Sequence, residues 1–226
     1  MRPLRGLYAI PPDGLDTPTR LAASEAVLSG GCRLLQYRDK TSDTPKRRME
    51  ANALRDLCER YNAALIVNDD IALARAVGAA GVHLGRDDGS PVEARRILGA
   101  KAVIGVSCYD DFARAREMIV AGADYIAFGA VCASVTKPDA VRAPLELFHR
   151  ARNEFSIPAC AIGGITLEKA PSLVEAGAML LAVIHDLFAS LSGANRDSDA
   201  RLADILAGIT ARARAYQSLF KDVSSS

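Results

Sequence analysis

Eight short apolar runs, each followed by a longer segment of helical character, constrain this chain more than any other feature. The runs are Leu7–Ile10, Cys32–Tyr37, Leu65–Val67, Val82–Leu84, Ala102–Val106, Tyr125–Phe128, Ala159–Ile162 and Met179–Ile184. Most are apolar at nearly every residue, whereas a strand with one wet face would alternate with period two. Strands buried on both faces point to a parallel sheet covered by helices.

The intervening segments carry helical signals. Thr44-Pro45 reads as an N-cap followed by proline at the first helical position. Met49, Ala53, Leu54, Leu57, Cys58 and Tyr61 then recur at spacings of three and four, which places them on one helix face. Leu202, Ile205, Leu206, Ile209, Ala213, Tyr216 and Phe220 repeat that stripe in the last helix. Ala121-Gly122-Ala123 and Ala176-Gly177-Ala178 each precede a strand, with a glycine suited to the left-handed residue that follows a helix. Eight such units favour a single-domain (β/α)8 TIM barrel over an open doubly wound sheet. The expected domain is 1–226, with the units over about 7–221, a polar loop at Ser190–Asp199 and a frayed tail at 222–226.

A length of 226 residues suits one such barrel. The net charge of +1 supplies no field for nucleic acid or an anionic membrane, and the absence of tryptophan argues against base-stacking platforms. No stretch approaches the roughly 18 apolar residues of a membrane span, and Met1–Gly14 holds no run long enough for a signal sequence. Cys32, Cys58, Cys108, Cys132 and Cys160 are odd in number and include no CxxC, so reduced thiols in a cytoplasmic protein are expected. Oligomeric state is not legible at this level.

In such barrels, chemistry gathers on the loops that leave the C-terminal ends of the strands. After the second run comes Gln36-Tyr37-Arg38-Asp39-Lys40. If the strand continues, Gln36, Arg38 and Lys40 project to one side. Asn68-Asp69-Asp70 follows the third run and Gly85-Arg86-Asp87-Asp88-Gly89 the fourth. Carboxylates on neighbouring strand ends could share Mg²⁺, which takes one or two of them and completes its shell with phosphates and water. Either pair alone could equally cap the helix that follows. Ser107 leaves the fifth run, and Ser134, Thr136 and Lys137 offer hydroxyls and an ammonium in the long loop after the sixth. Gly163-Gly164-Ile165-Thr166 ends the seventh, where glycines let backbone amides approach a phosphate at a helix start.

Of the three histidines, His83 lies inside a strand and reads as a satisfied core residue, while His149 faces solvent on a helix. His185 directly follows the eighth run, at the mouth. No Ser-His-Asp pattern, HExxH or GxGxxG is present. Cations, carboxylates and glycine amides at one end fit a metal-bridged polyphosphate beside a second anion.

These residues, in this order, resemble the thiamine phosphate synthase family. The matching pieces are Gln36-Tyr37-Arg38-Asp39-Lys40, Val67-Asn68-Asp69-Asp70, Gly81-Val82-His83-Leu84-Gly85-Arg86-Asp87-Asp88, Gly105-Val106-Ser107, Thr136-Lys137-Pro138 and Ala161-Ile162-Gly163-Gly164-Ile165-Thr166. The resemblance implies a transferase of thiamine biosynthesis. It joins a hydroxymethylpyrimidine diphosphate to a thiazole phosphate, or its carboxylated form, and yields thiamine phosphate and pyrophosphate. It further implies that Gln36, Tyr37, Arg38, Asp39, Lys40, Asn68, Ser107 and Lys137 hold the pyrimidine diphosphate. Among these, Arg38, Lys40, Ser107 and Lys137 would be catalytic. Asp69 and Asp88 would ligate one Mg²⁺, and Ser134, Val135, Thr136, Gly164, Ile184 and His185 would hold the thiazole phosphate.

The chain departs from the family pattern at Arg86 (commonly glutamine), Ser134 (threonine), Ala130 and Cys132 (proline and phenylalanine) and His185 (serine). A related thiazole tautomerase relies on a histidine two residues after the serine matching Ser107. Tyr109 stands there in this chain, and both acidic metal positions are kept. A non-catalytic barrel that binds thiazole or thiamine phosphates is the other alternative.

Overall fold

The structure, a computed structural model, describes residues 4–132, 143–191 and 199–221. The expectations placed on Ser134, Val135, Thr136 and Lys137, and on the tail at 222–226, lie outside these residues. The strands are β1 (Gly6–Ala9), β2 (Leu34–Tyr37), β3 (Ala64–Asn68), β4 (Gly81–Leu84), β5 (Val103–Tyr109), β6 (Tyr125–Phe128), β7 (Ala159–Ile162) and β8 (Leu180–Val183). They pair in sequence order, all parallel, and β8 closes on β1 through Gly6 opposite Leu180 to Ala9 opposite Val183. Closure excludes the open sheet and makes this a (β/α)8 barrel.

The helices are α1 (Thr17–Ser29), α2 (Thr44–Arg60), α3 (Ile71–Val77), α4 (Pro91–Leu98), α5 (Phe112–Val120), α6 (Glu146–Glu154), α7 (Ala170–Glu175), α8 (His185–Phe188) and α9 (Asp199–Ser218). No described helix is long and apolar enough to cross a membrane.

The apolar runs are continuous because alternate residues enter different cores. Leu7, Ala9, Leu35, Tyr37, Leu65 and Val67 pack between sheet and helices. Tyr8, Leu34, Ile66, Val103 and Tyr125 fill the barrel interior. Tyr125 needs a gap in the wall, which Gly105 supplies: a Cβ there would stand 1.9 Å from the tyrosine ring.

Several boundaries differ from those read in the sequence. β2 starts at Leu34 and β8 spans only Leu180–Val183, whereas β5 runs on to Tyr109. Ser107 is therefore a strand residue opposite Ala127, with an irregularity before Tyr109 meets Phe128. The N-cap of α2 is Asp43, whose carboxylate accepts from Lys46 N at 3.0 Å, and Thr44 is the first helical residue. Leu54, Leu57 and Cys58 are buried as expected, but Met49 is 54% exposed and Glu50 turns inward. The stripe of the last helix holds, with Ile209, Ala213 and Tyr216 buried and Phe220 just beyond its end. Gly122 and Gly177 follow α5 and α7 at φ +96° and +112°. After β8 the chain forms α8 and a 3-10 turn at Ala189–Leu191, so helical structure extends into the expected polar loop.

Candidate active site

Gln36 points into the barrel, where its Nε2 donates to Tyr8 Oη at 2.6 Å. Tyr37, next along β2, faces the helical layer, and its hydroxyl lies 3.0 Å from Glu50 Oε2. The strand stops at Tyr37, so the period-two alternation does not carry on to Arg38 and Lys40. Loop contacts arrange this segment instead. Arg38 pairs with Asp13, its carbonyl accepts from Arg20 Nη1 at 3.3 Å, and Asp39 accepts from Thr41 N at 2.8 Å. Lys46 Nζ stands 3.5 Å from Asp39 Oδ2. Burial raises the Asp39 carboxyl, but the Thr41 hydrogen bonds and the Lys46 and Arg20 charges outweigh it and hold the group below its ordinary range.

Asp69 leaves β3 in the left-handed region, φ +64°, with its N–H bonded to His83 O at 2.8 Å. Non-glycine residues in that region are strained and cluster at functional sites. Its carboxyl is pushed up to about 6, first by burial and then by the hydrogen bond and charge of Asp88. Lys40 and Arg38 pull it the other way. Two carboxyls from adjacent strand ends thus repel each other's ionised form, while the charges of two cations from a third strand end oppose that effect. Asp88 also accepts from Gly85 N at 2.9 Å, which folds the β4 loop back on itself.

Asp70 takes the capping role: it accepts from Leu73 N at 2.8 Å and pairs with Arg47 at 2.9 Å. Asn68 ends β3 opposite His83. His83 is a core residue, as the sequence implied, with Nδ1 2.9 Å from Tyr125 Oη and Nε2 2.9 Å from Ser107 Oγ. Burial pushes it down to about 4, so the imidazole is neutral near pH 7. His149 is exposed on α6.

Gly163 and Gly164 follow β7 at φ +100° and +64°, consecutive positive values that turn the chain sharply. The buried Oγ1 of Thr166 just beyond them has no hydrogen-bond partner among the described residues. Ile184 is 37% exposed, and His185 opens α8 at the edge of a groove shared with Asp186, Gly208, Ile209 and Arg212.

The acidic pair also fits the metal requirement. Among the described residues no group of three or more histidine, cysteine or acidic side chains could hold an ion. Mg²⁺ does not need one, because one or two carboxylates suffice when substrate phosphates supply the rest. The charge of Asp88 raises the Asp69 carboxyl, and a dication held between them would relieve that repulsion.

Four positioning side chains went unread in the sequence. Arg20 and Glu50 brace the β2 loop. Arg114 donates from Nε to Ser107 O at 2.9 Å and from Nη2 to Gly85 O at 3.3 Å, tying β5 to the β4 loop. Asp186 accepts from Leu167 N at 3.2 Å, Arg212 Nε at 2.8 Å and Tyr216 Oη at 2.5 Å, tying the β7 loop to α9. A helical-period signal existed for the first two: Arg20 falls on the stripe of Ala23, Ser24 and Val27, and Glu50 on that of Leu54 and Leu57.

Comparison with known proteins agrees with this geometry. The family described as thiamine monophosphate synthase (TMP-TENI) matches residues 7–187. A thiamine-phosphate synthase of Azoarcus sp. (strain BH72) is 59% identical over 187 residues, covering 83% of this chain and 91% of the relative. One from Thioalkalivibrio sulfidiphilus (strain HL-EbGR7) is 56% identical over 187 residues, covering 82% and 89%. The solved thiamine phosphate pyrophosphorylase of Pyrococcus furiosus superposes with a TM-score of 0.74 at 29% identity, covering 92% of this chain and 98% of that one. Barrel and sequence agree: the chain belongs to the thiamine monophosphate synthase family.

Proposed function

We propose that this barrel transfers the pyrimidinylmethyl group of 4-amino-2-methyl-5-hydroxymethylpyrimidine diphosphate to the nitrogen of a thiazole phosphate or its carboxylated form. The C–O bond to the diphosphate breaks with its electron pair going to pyrophosphate. The thiazole nitrogen lone pair then forms the new C–N bond to the pyrimidine carbocation, giving thiamine phosphate, and the carboxylated substrate also releases its carboxylate as CO₂. The observation that carries this reading is the meeting of Asp69, Asp88, Arg38 and Lys40 at three strand ends.

Asp69 and Asp88 would hold one Mg²⁺, which when bound supplies positive charge to the departing diphosphate. Arg38, Lys40 and Lys137 add cationic charge there, and Ser107 donates a hydrogen bond. Gln36, Asn68 and the Tyr37–Asp39 backbone shape the pyrimidine side. Ser134, Val135, Thr136, Gly164, Ile184 and His185 receive the thiazole phosphate, with consecutive positive-φ glycines leaving room for the anion. No side chain is asked to form a covalent intermediate. We place the reaction in the cytoplasm, consistent with five unpaired cysteines.

Tyr109 argues against the tautomerase alternative, since its ring lies under the Arg86 guanidinium at 4.9 Å and offers no base. Incubation with both substrates and Mg²⁺ tests the assignment. Thiamine phosphate and pyrophosphate should appear in equal amounts. Turnover of the thiazole alone would indicate a tautomerase, and binding without product a sensor.

A further inference from the structure

Three segments of the chain, the β7 loop, α8 and α9, meet on one carboxylate, that of Asp186. Its Oδ2 accepts from Leu167 N at 3.2 Å, from Arg212 Nε at 2.8 Å and from Tyr216 Oη at 2.5 Å. Its Oδ1 accepts from Arg212 Nη2 at 2.7 Å, so the guanidinium grips both oxygens in the strong bidentate form. The Asp186 side chain is 12% exposed, whereas that of Arg212 keeps 42% of its surface in solvent. Burial raises the Asp186 carboxyl, but the hydrogen bonds from Arg212 and Tyr216 outweigh it and hold the group below its ordinary range. The carboxylate is therefore ionised near pH 7.

A negative charge is an awkward neighbour at this place. Asp186 directly follows Ile184 and His185, and Leu167 stands three residues after Gly164. Gly164, Ile184 and His185 are the described residues that receive the thiazole phosphate in the proposed reaction. A carboxylate beside an anion site weakens binding unless a counter-charge cancels its field. What the carboxylate offers is an anchor, because its bond to Leu167 N pins the turn that carries Gly163 and Gly164 against α8. The Arg212 guanidinium keeps that anchor and removes the charge penalty, since it neutralises both oxygens from the side of α9.

We propose that Arg212 is a positioning residue of the thiazole-phosphate subsite, which fixes Asp186 as the anchor of the β7 turn and cancels its charge beside the anion. The proposal rests on the reading that Gly164, Ile184 and His185 receive that phosphate. It makes α9 part of the acceptor half of the site. The diphosphate half draws its charged groups from the ends of β2, β3 and β4, so the effect of Arg212 falls on one substrate and not on the other.

The test is a kinetic cycle on Arg212→Met, Asp186→Asn and the double variant, with each substrate varied in turn. It is run near pH 8, about two units above the second ionisation of a phosphate, so that the anion is doubly charged. Arg212→Met leaves the carboxylate in place and uncompensated. KM for thiazole phosphate should rise about 10-fold, the scale of one partly screened charge, while kcat and KM for the pyrimidine diphosphate stay near wild type. Asp186→Asn removes the charge and keeps a carbonyl oxygen for Leu167 N, so its KM should rise by less. The double variant should bind thiazole phosphate better than Arg212→Met alone, because the charge that needed cancelling has gone. A double variant no better than Arg212→Met would reduce the contact to a brace and overturn the proposal. Wild-type KM in Arg212→Met, or an equal rise in KM for both substrates, would overturn it too. If Arg212→Met does not fold, Arg212→Gln takes its place, with the same outcomes. Wild-type KM for thiazole phosphate in both folded Gly164→Val and His185→Ala would instead remove the underlying reading of the subsite, a result distinct from a failed cycle.

Discussion

The Arg20 guanidinium lies against the Glu50 carboxylate, Nε 3.2 Å from Oε2, with both side chains withdrawn from solvent. The contact is one of charge, since this Nε makes no aligned hydrogen bond. Glu50 also accepts from Thr17 Oγ1 at 2.6 Å and Tyr37 Oη at 3.0 Å, while Arg20 reaches the Arg38 carbonyl. Removing one partner leaves a buried charge uncompensated, which costs about 3–5 kcal/mol. Arg20→Met should therefore lower the unfolding free energy from urea titration by that margin, lowering the midpoint, and raise KM for the pyrimidine diphosphate, because Arg38 loses its backbone anchor. An unchanged midpoint would show that the pair is not energetically closed off.

Protons and Mg²⁺ should compete at Asp69 and Asp88. The Asp69 carboxyl is raised to about 6, so between its ordinary value near 4 and pH 6 the folded chain holds a proton that the unfolded chain has released. Its contribution to the stability of the metal-free protein consequently falls as pH rises through that window. Mg²⁺ should offset this, giving a larger rise in Tm at pH 7 than at pH 5. Asp69→Ala should abolish the difference and lower turnover by roughly 100-fold or more, the scale seen when a metal's ligand environment is disturbed. Full turnover in that variant, or in wild type with excess chelator, would sink the metal assignment.

Burial of His83 makes an opposite contribution in nearly the same range. Its folded value of about 4 lies below the ordinary histidine value of about 6.5, so its stabilising share is complete above pH 6.5 and is lost as pH falls toward 4. His83→Gln should flatten that part of the stability profile when compared with wild type by denaturant titration at each pH. Parallel profiles would mean that the imidazole is not desolvated.

Gly105→Ala should destabilise by about 1–3 kcal/mol, the usual range for overpacking. Its Cβ would overlap the Tyr125 ring, and a buried ring in the barrel interior has little room to withdraw. A thermal shift indistinguishable from wild type would show that the interior can repack.

Gly164→Val should raise KM for thiazole phosphate well before it affects the pyrimidine diphosphate. Gly164 has φ +64°, where a β-branched residue is strained and its side chain would crowd the amides proposed to face the anion. Wild-type KM in a folded variant would remove Gly164 from that contact.

Strand identity and the buried stripe of α9 were legible in the sequence. A run such as Tyr125–Phe128 or Ala159–Ile162 is apolar throughout only when both faces are covered, and its period lies within the segment itself. The positions of acids and cations at strand ends were legible for the same reason, since they follow directly from where each run stops. Tertiary structure decided which of them act together. Asp69 and Asp70 are neighbours of the same chemistry, yet one meets Asp88 across a strand pair and the other caps α3. Glu50 displaced Met49 from the interior because Arg20, on another helix, waits there to pair with it. His83 became a link between Tyr125 and Ser107 only once β4, β5 and β6 lay side by side. Periodicity and caps are set by bonds along a few residues of chain, whereas a partner for a buried charge or polar group is set by barrel closure, which brings together residues far apart in sequence.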